Sequence, residues 1–542
     1  MSAEEEEYDV IVVGSGAAGA AISWRLGALG INVLCLEQGR RYFPEEFPSN
    51  AVNWESRKLS SFSPNPNIRK GEHDYPVNNN GSPIEIANFN AVGGSTVIFS
   101  GHFPRFQPTD FRTKQIDGVG EDWPIQYQDL ADYYGLNEKV QGISGLVGDP
   151  KYPDIHELAP PIPIGKIGHK IGNAFNELGW HWWPSYSAIV TKTTNHRNSC
   201  INLGTCNTGC SQGAKSSTDV SYWPMAIDSG VKLLSECTVA KILSADKNKV
   251  SGVEYFNSTG KLKVVKAKFI VLAASGVGTP RILLNSKNAF YPQGLANSNG
   301  MVGKNLMLHP LAYIQGEFDE DLQSNWGPQG CAIMSQEFYA SRDENSFRRG
   351  YTFQLLRGPG PLEWMLSQLR RKELIWGKQH AEFFKLRFNR SADITAIIED
   401  LPDVNNFIDL DPNQKDKFGI PAPRIHYSLS DNSKKMLAHA LTKGKELMKT
   451  AGAKRVFAFG PVKDTGWHIM GTARMGSDPL SSIVDENCKS HEVDNLYIVD
   501  SSVFVTSSAV NPANTIQAIA LRAGDIIAKR LTITRESRNG ST

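Results

Sequence analysis

The chain has 542 residues and a formal net charge of +1, because 57 Lys and Arg nearly balance 56 Asp and Glu. This balance argues against a dedicated nucleic-acid binder, and no uninterrupted apolar run reaches the roughly 18 residues of a membrane-spanning helix. A hydrophobic content of 40% and a mean hydropathy of −0.32 are typical of a globular protein, and the length exceeds one ordinary domain. The acidic start, MSAEEEEYD, is not a signal peptide. We therefore expect a cytoplasmic protein, unless a partner with its own signal carries it folded to the periplasm.

The first forty residues carry a dinucleotide-binding pattern. An apolar run at 10–13 predicts a buried parallel strand, and residues 17–29 predict a helix that leads to a second strand at 33–36. The six residues at 14–19 read Gly-Ser-Gly-Ala-Ala-Gly, which matches G-x-G-x-x-G. Strand, glycine turn, helix and strand in this order predict the first unit of a Rossmann-like fold.

Each glycine of that pattern has a physical purpose. Gly14 allows the tight turn, Gly16 lets the backbone approach a pyrophosphate, and Gly19 lets the helix and strand pack closely. The helix N-terminus offers free N–H groups to the phosphates. Glu37 follows the second strand and can accept hydrogen bonds from ribose hydroxyls, while its charge disfavours a 2′-phosphate. The pattern therefore favours FAD or NAD over NADP and does not separate the first two.

The far end of the chain carries a second set of motifs. Residues 466–476 read GWHIMGTARMG, residues 495–500 form an apolar strand that ends at Asp500, and NPANT at 511–515 leads into a helical segment. Together with the N-terminal unit, these motifs resemble the glucose-methanol-choline (GMC) family of FAD-dependent alcohol oxidoreductases. The resemblance runs nearly end to end and includes the segments 91–106, 122–134, 271–284 and 301–310.

The resemblance implies an α/β fold with a discontinuous Rossmann-like FAD-binding domain and an α+β substrate-binding domain built on an antiparallel sheet. We expect residues 6–310 to form the first part of the FAD-binding domain. Within it, 41–90 would be a loop or lid and about 195–215 a cysteine-containing insertion. Residues 311–464 would form the substrate-binding domain, and 465–535 the C-terminal part of the FAD-binding domain with the catalytic residues.

The family pairs a histidine in an H-x-x-G-T segment with an Asn or His just before the last helix. Here the two positions fall on His468 and Asn511. Alcohol oxidation removes a proton from oxygen, and a neutral imidazole is a suitable base for it. The Asn511 amide would hold the substrate oxygen as negative charge develops. Asn514 is a competing candidate for the role of that amide. His102 has two equal interpretations, as a residue that lines the site and as a structural histidine.

The resemblance also implies which residues contact the cofactor. Besides Gly14, Gly16, Gly19 and Glu37, the expected contacts are Gly93, Gly94, Ser95, Ser100, Val239, Asp500 and Thr515. Some members of the family attach FAD covalently through a histidine whose position here falls on Ile98. We therefore expect non-covalent FAD.

Three of the seven cysteines lie close together, as Cys200-x5-Cys206-x3-Cys210. Their segment resembles the cysteine region of the catalytic subunit of bacterial FAD-dependent glucose dehydrogenases. That resemblance implies a [3Fe–4S] cluster and an electron-accepting cytochrome subunit, with a small accessory subunit beside it. Zinc with a distant fourth ligand and a purely structural turn are the alternatives.

The expected function is oxidation of the CH–OH group of an alcohol or sugar, with the electrons passed to an acceptor other than oxygen. An oxidase that forms H2O2 is the main alternative. An FAD-containing lyase, a non-catalytic flavoprotein and an NAD-dependent dehydrogenase are the others. We expect no nucleic-acid partner, and the sequence does not identify the substrate or the oligomeric state.

Overall fold

The computed structural model describes residues 7–153, 155–194, 196–330, 332–341 and 344–539, with only the backbone for Asn50 and 534–539. The acidic residues 1–6 lie outside this part. Its strands are β1 Glu7–Val13, β2 Val33–Leu36, β3 Trp183–Pro184, β4 Lys232–Leu234, β5 Thr238–Ser244, β6 Val250–Phe256, β7 Leu262–Leu272, β8 Leu311–Glu317, β9 Ile333–Ser335, β10 Tyr351–Leu356, β11 Ser391–Ile398, β12 Phe407–Lys415, β13 Pro421–His426, β14 Arg455–Phe459 and β15 Leu496–Ile498.

The α-helices are α1 Ala17–Ala28, α2 Trp54–Lys58, α3 Pro66–Arg69, α4 Thr113–Asp117, α5 Gln128–Gln141, α6 Gly165–Leu178, α7 Tyr222–Asp228, α8 Ser275–Asn285, α9 Pro361–Arg370, α10 His380–Arg387, α11 Asp431–Thr450 and α12 Ala513–Asn539. Short 3₁₀ helices lie at Pro44–Glu46, Pro48–Asn50, Gly94–Val97, Pro108–Arg112, Gly377–Gln379 and Ser501–Val503. No helix in the described ranges is long and apolar enough to cross a membrane.

A seven-stranded sheet forms the nucleotide-binding half. Its strand order is β4-β2-β1-β7-β6-β5, and β15 pairs with the C-terminal end of β7. Strands β4, β2, β1, β7 and β15 are parallel, whereas β6 and β5 extend the sheet antiparallel. Side chains of β1 and β2 are buried along nearly their whole length, as expected for central parallel strands covered on both faces. The predicted α/β Rossmann-like fold is confirmed.

A six-stranded antiparallel sheet of order β14-β8-β11-β10-β9-β3 forms the other half. Helix α11 covers it and begins at Ser430, whose hydroxyl accepts the backbone N–H of Ser433 at 3.0 Å. The sheet also includes Trp183–Pro184, and α6 packs against α11. This half therefore includes residues that precede 311 in the chain. The apolar face of α6 is buried in the same core as α11.

Two segments have little regular structure. Residues 41–90 contain two short helices, α2 and α3, and two 3₁₀ turns. In the described residues of the cysteine segment, about 195–215, there is no helix or strand.

Candidate active site

The parallel strands end at a common cleft. Gly14 follows β1, Glu37 follows β2 and Ala273 follows β7 directly, and Asp500 lies two residues after the end of β15. All four line one cavity that is partly open to solvent. Ligands of open α/β sheets bind outside the carboxyl ends of the strands. The cleft is therefore where this fold places a dinucleotide.

Two glycine turns form the floor of the cleft. Gly14 has φ +96°, and a Cβ there would lie 2.5 Å from the carbonyl oxygen of Ala273. Gly94, with φ +54°, comes so near the first turn that a Cβ on it would lie 2.8 Å from the Cα of Gly16. Glycine at both positions therefore lets two segments of backbone lie against each other at the base of the cleft.

The structure sorts the predicted cofactor contacts into two groups. Those that line the cleft are Gly14, Gly16, Glu37, Gly94, Ser95, Val239 and Asp500. Gly19, Gly93, Ser100 and Thr515 are not among its lining residues. Gly19 instead packs α1 against the first turn, where a Cβ would lie 1.9 Å from the Gly14 oxygen. The Thr515 hydroxyl bonds to that of Tyr134 at 2.8 Å.

Two buried carboxylates face this cavity, one after β2 and one after β15. Glu37 Oε2 accepts the N–H and the hydroxyl of Ser15 at 2.9 and 2.7 Å, and Oε1 accepts the N–H of Gly39. Asp500 accepts the hydroxyl of Thr279 at 2.6 Å and the N–H groups of Ser275 and Ser502. Burial raises the pKa of both carboxyls, and these hydrogen bonds counteract the rise.

Unused polar groups at the cleft fit an FAD or NAD dinucleotide. The N-terminus of α1 has no side-chain cap, so its first N–H groups remain as donors for a pyrophosphate. Asn88 also lines the cleft, and its buried Oδ1 has no hydrogen-bond partner in the protein. Buried polar atoms in proteins normally have a hydrogen-bond partner, and a polar cofactor would supply one here.

His468 lies beside the cleft, since its chain neighbours Trp467 and Ile469 both line it. Its Nδ1 is 2.8 Å from Nδ1 of His309. The other nitrogen of His309, Nε2, lies 3.0 Å from the carbonyl oxygen of Ser508 and 3.3 Å from that of Ser507. The two rings meet edge to face.

These contacts assign the protons on both rings. A carbonyl oxygen only accepts, so Nε2 of His309 must carry its proton, and Nδ1 of the neutral ring is then an acceptor. Nδ1 of His468 must donate to it. The remaining nitrogen of His468, Nε2, therefore has a free lone pair, which is the form that a general base requires.

Asn511 faces that lone pair. Its Nδ2 lies 3.4 Å from Nε2 of His468, and its Oδ1 accepts the amide N–H of Gln354 at 2.6 Å. Because Gln354 fixes the oxygen, the NH2 group must point toward His468. The 3.4 Å separation is long for a hydrogen bond, which leaves both groups available to a substrate oxygen.

Asn514, the alternative amide, is used inside the protein. Its Oδ1 accepts Nδ2–H of Asn137 at 2.8 Å, and its own Nδ2 donates to Glu138 and Phe103. It is fully buried, so the geometry favours Asn511 for a role toward substrate.

The histidines are neutral in this setting. Burial, with smaller contributions from His309 and His102, lowers the pKa of His468 well below its ordinary value. Burial lowers the pKa of His309 to about 4 and that of His102 to about 3. The Nδ1 atom of His102 is buried without a hydrogen-bond partner in the protein, so this ring has capacity for a bound group.

Our reading of the sequence missed His309 and Gln354. His309 lies in the 301–310 segment that carried part of the family resemblance, which is the signal that could have drawn attention to it. Gln354 lies in the middle of β10 and had no motif of its own.

The cysteine trio is not arranged as a metal site. Among the residues that the structure describes, no group of three or more His, Cys, Asp and Glu side chains could hold a metal ion. Cys200, Cys206 and Cys210 are free thiols. The segment is instead fixed by Lys215, whose buried Nζ donates to the carbonyl oxygens of Cys206, Val97 and Phe99 at 2.6–2.9 Å.

A Rossmann-type cleft with an imidazole and an amide beside it defines a dinucleotide-dependent oxidoreductase. Residues 166–311 and 402–520 match the N- and C-terminal GMC oxidoreductase domains, and residues 12–70 match an NAD(P)-binding Rossmann-like domain. The chain is 37% identical to the 2-methyl-1,2-propanediol dehydrogenase of Mycolicibacterium austroafricanum, with 98% of this chain and 97% of the relative covered. It is 27% identical to the fructose dehydrogenase large subunit of Gluconobacter japonicus, with 97% and 99% covered.

Solved structures show the same fold. The crystal structure of pyridoxine 4-oxidase from Mesorbium loti superposes with a TM-score of 0.66 at 16% identity, over 96% of this chain and 99% of that one. The chain belongs to the GMC oxidoreductase family. It is an enzyme, an FAD-dependent alcohol oxidoreductase, in a family whose members include dehydrogenases and oxidases.

Proposed function

We propose that the protein is a dehydrogenase that oxidises the CH–OH group of an alcohol or sugar, with non-covalent FAD in the cleft and an electron acceptor other than oxygen. The observation that carries the proposal is the pair of His468 Nε2 and Asn511 Nδ2, 3.4 Å apart beside the cleft. Bound FAD supplies the acceptor for the hydride that leaves the alcohol carbon. The residue at the position of the covalent histidine, Ile98, has no group that could bond to FAD.

In this proposal the chain's own residues handle the alcohol proton. The substrate hydroxyl donates to Nε2 of His468, and the Asn511 N–H donates to the substrate oxygen. When the proton moves to Nε2, the imidazolium keeps its Nδ1–H bond to His309, so no side chain has to reorient. The amide meanwhile stabilises the negative charge that develops on oxygen.

The relatives support the substrate class and the acceptor. Two of them are named dehydrogenases of a 1,2-diol and of a sugar, so a substrate with several hydroxyl groups is the first to test. We expect turnover of 2-methyl-1,2-propanediol or a sugar alcohol with a dye or quinone acceptor, and little H2O2 in air. Faster turnover with oxygen than with any dye would favour the oxidase alternative. Two relatives that are named as oxidases support that alternative.

We also propose that Cys200, Cys206 and Cys210 hold a [3Fe–4S] cluster. In the described part of the chain these thiols are not gathered into a metal site, so the cluster would have to draw them together. The spacing supports this proposal, and so do the surroundings of the sulfurs. The Cys206 sulfur accepts backbone N–H groups, and that of Cys200 accepts the N–H of Asn202 at 3.4 Å. Burial raises the pKa of the Cys206 thiol, and the nearby Lys215 cation and the N–H groups act in the opposite direction. N–H···S bonds and nearby cations stabilise thiolates and iron–sulfur centres.

An iron assay tests this second proposal. Protein prepared without oxygen and with ample iron should contain about three irons per flavin, and Cys206→Ser should remove them while FAD stays bound. Cys488→Ser is the matched control, because Cys488 is a buried free thiol that is not among the residues lining the cleft. An iron-free parent with normal flavin would show that the trio is structural.

A partner subunit is the last part of the proposal. The Gluconobacter japonicus relative is named a large subunit, which supports a complex with at least one further subunit. We propose that a cytochrome-type subunit takes the electrons and that a small subunit accompanies it. Purification of the enzyme from the cells that naturally make it, followed by measurement of the mass of the undenatured complex, would show whether such subunits stay attached.

A further inference from the structure

A chain of hydrogen bonds leads from the proposed base into the substrate-binding half. It begins at His309, whose Nε2–H is held by the carbonyl oxygen of Ser508 at 3.0 Å. Ser508 has φ +60°, a left-handed conformation that side chains other than glycine adopt only when their surroundings hold them. What holds Ser508 therefore determines where its carbonyl oxygen lies.

The side chain of Ser508 is held by Tyr339, in the turn after β9. The two hydroxyl oxygens are 2.7 Å apart, and the Tyr339 oxygen is also 2.6 Å from Oδ2 of Asp110. Tyrosine has one hydroxyl proton, and an ionised carboxylate only accepts. Tyr339 therefore donates to Asp110, and the Ser508 hydroxyl donates to Tyr339.

Asp110 is itself fixed by a buried guanidinium. Arg349 bonds to Asp110 at 2.5 Å, to Asp117 at 3.0 Å and to both oxygens of Glu399 at 2.9 and 3.0 Å. The side chains of Arg349, Asp110 and Glu399 are at most 2% exposed. Such a fully bonded buried group has a single low-energy position, so it gives Tyr339 a fixed anchor.

We infer that Tyr339 is a positioning residue for the base: through Ser508 it fixes the carbonyl that sets the proton on His309, and through His309 it keeps the lone pair of His468 on Nε2. The inference rests on the proposed function for the role of His468. The substrate-binding half would then help to keep His468 in the form that accepts a proton, besides binding the alcohol.

Tyr339→Phe removes the hydroxyl and keeps the ring. We expect flavin content and the alcohol concentration at half-maximal rate to stay as in the parent, while the limiting rate of flavin reduction falls about tenfold, the usual effect of one lost positioning hydrogen bond. Tyr351→Phe is the matched control, since Tyr351 is equally buried in the same half and its hydroxyl bonds to His439 at 3.0 Å.

A double-mutant cycle separates this route from general damage. Glycine tolerates the left-handed conformation. Ser508→Gly, which removes the hydroxyl that Tyr339 holds, should lose about the same factor as Tyr339→Phe, and Tyr339→Phe should add little to that loss in its background. If Tyr339→Phe costs the same factor with Ser508 or with Gly at that position, the route through Ser508 is wrong.

The proton positions can be read without turnover. In holoenzyme labelled with [¹⁵N]histidine, with signals assigned through His468→Ala and His309→Gln, we expect His468 protonated on Nδ1 and His309 on Nε2. Tyr339→Phe should give a mixture of both forms. An unchanged spectrum would overturn the inference. A changed spectrum in an enzyme that no alcohol reduces would uphold it and refute the proposed function instead.

Discussion

His468→Ala should slow the reduction of bound flavin by alcohol about 10²–10⁴-fold, the usual scale for loss of a general base, while FAD remains bound. His468 itself is not among the residues that line the cleft, so flavin content should not change. Stopped-flow absorbance under anaerobic conditions measures the rate directly. Near-parental reduction in this variant would exclude His468 as the base.

The pH dependence gives the same test a second readout. Since the pKa of His468 lies well below its ordinary value, the parent should reduce its flavin at a constant rate through neutral and alkaline pH. The rate should fall only on the acid side of pH 6.5, where a protonated imidazole no longer accepts a proton.

Asn511→Ala should slow flavin reduction less than His468→Ala does, as expected for the loss of one hydrogen-bond donor to developing charge.

Gly16→Val should yield protein depleted in FAD. Gly16 faces the cleft, and a Cβ there would meet only Gly94 Cα, at 3.8 Å, in the protein itself. The side chain therefore fits the protein and obstructs the ligand. A clash of about 3 kcal/mol would weaken FAD binding about 100-fold, which the ratio of flavin to protein absorbance would show.

Gly135→Val is the control for that change. Gly135 lies on the exposed side of α5, where a Cβ meets no atom within 4 Å, so the same valine should leave the flavin content at the parental value. Full FAD occupancy in Gly16→Val would place the dinucleotide elsewhere.

Local patterns predicted the nucleotide-binding unit well. The strand expected at 33–36 is β2 Val33–Leu36, and the helix expected at 17–29 is α1 Ala17–Ala28. The alternation of strand, glycine turn and helix is visible in a short stretch of neighbouring residues. In contrast, the two-residue strand β3 pairs with β9 some 150 residues later, and no local signal in the sequence announces such a partner.

The site was predictable only in part for the same reason. His468 and Asn511 are proposed from family motifs, whereas the contact of His468 with His309 joins residues 159 positions apart. The choice between Asn511 and Asn514 also depended on the direction of side chains three residues apart. Only the fold shows that one amide meets Gln354 and the other meets Asn137.

Anaerobic titration of the FAD-loaded enzyme with a vicinal diol or a sugar alcohol tests the central claim most directly. We predict that the visible flavin band bleaches in the parent, and that His468→Ala with the same flavin content stays oxidised on the same timescale. An FAD-loaded parent whose flavin stays oxidised across a panel of sugars and of aliphatic and aromatic alcohols would contradict the account.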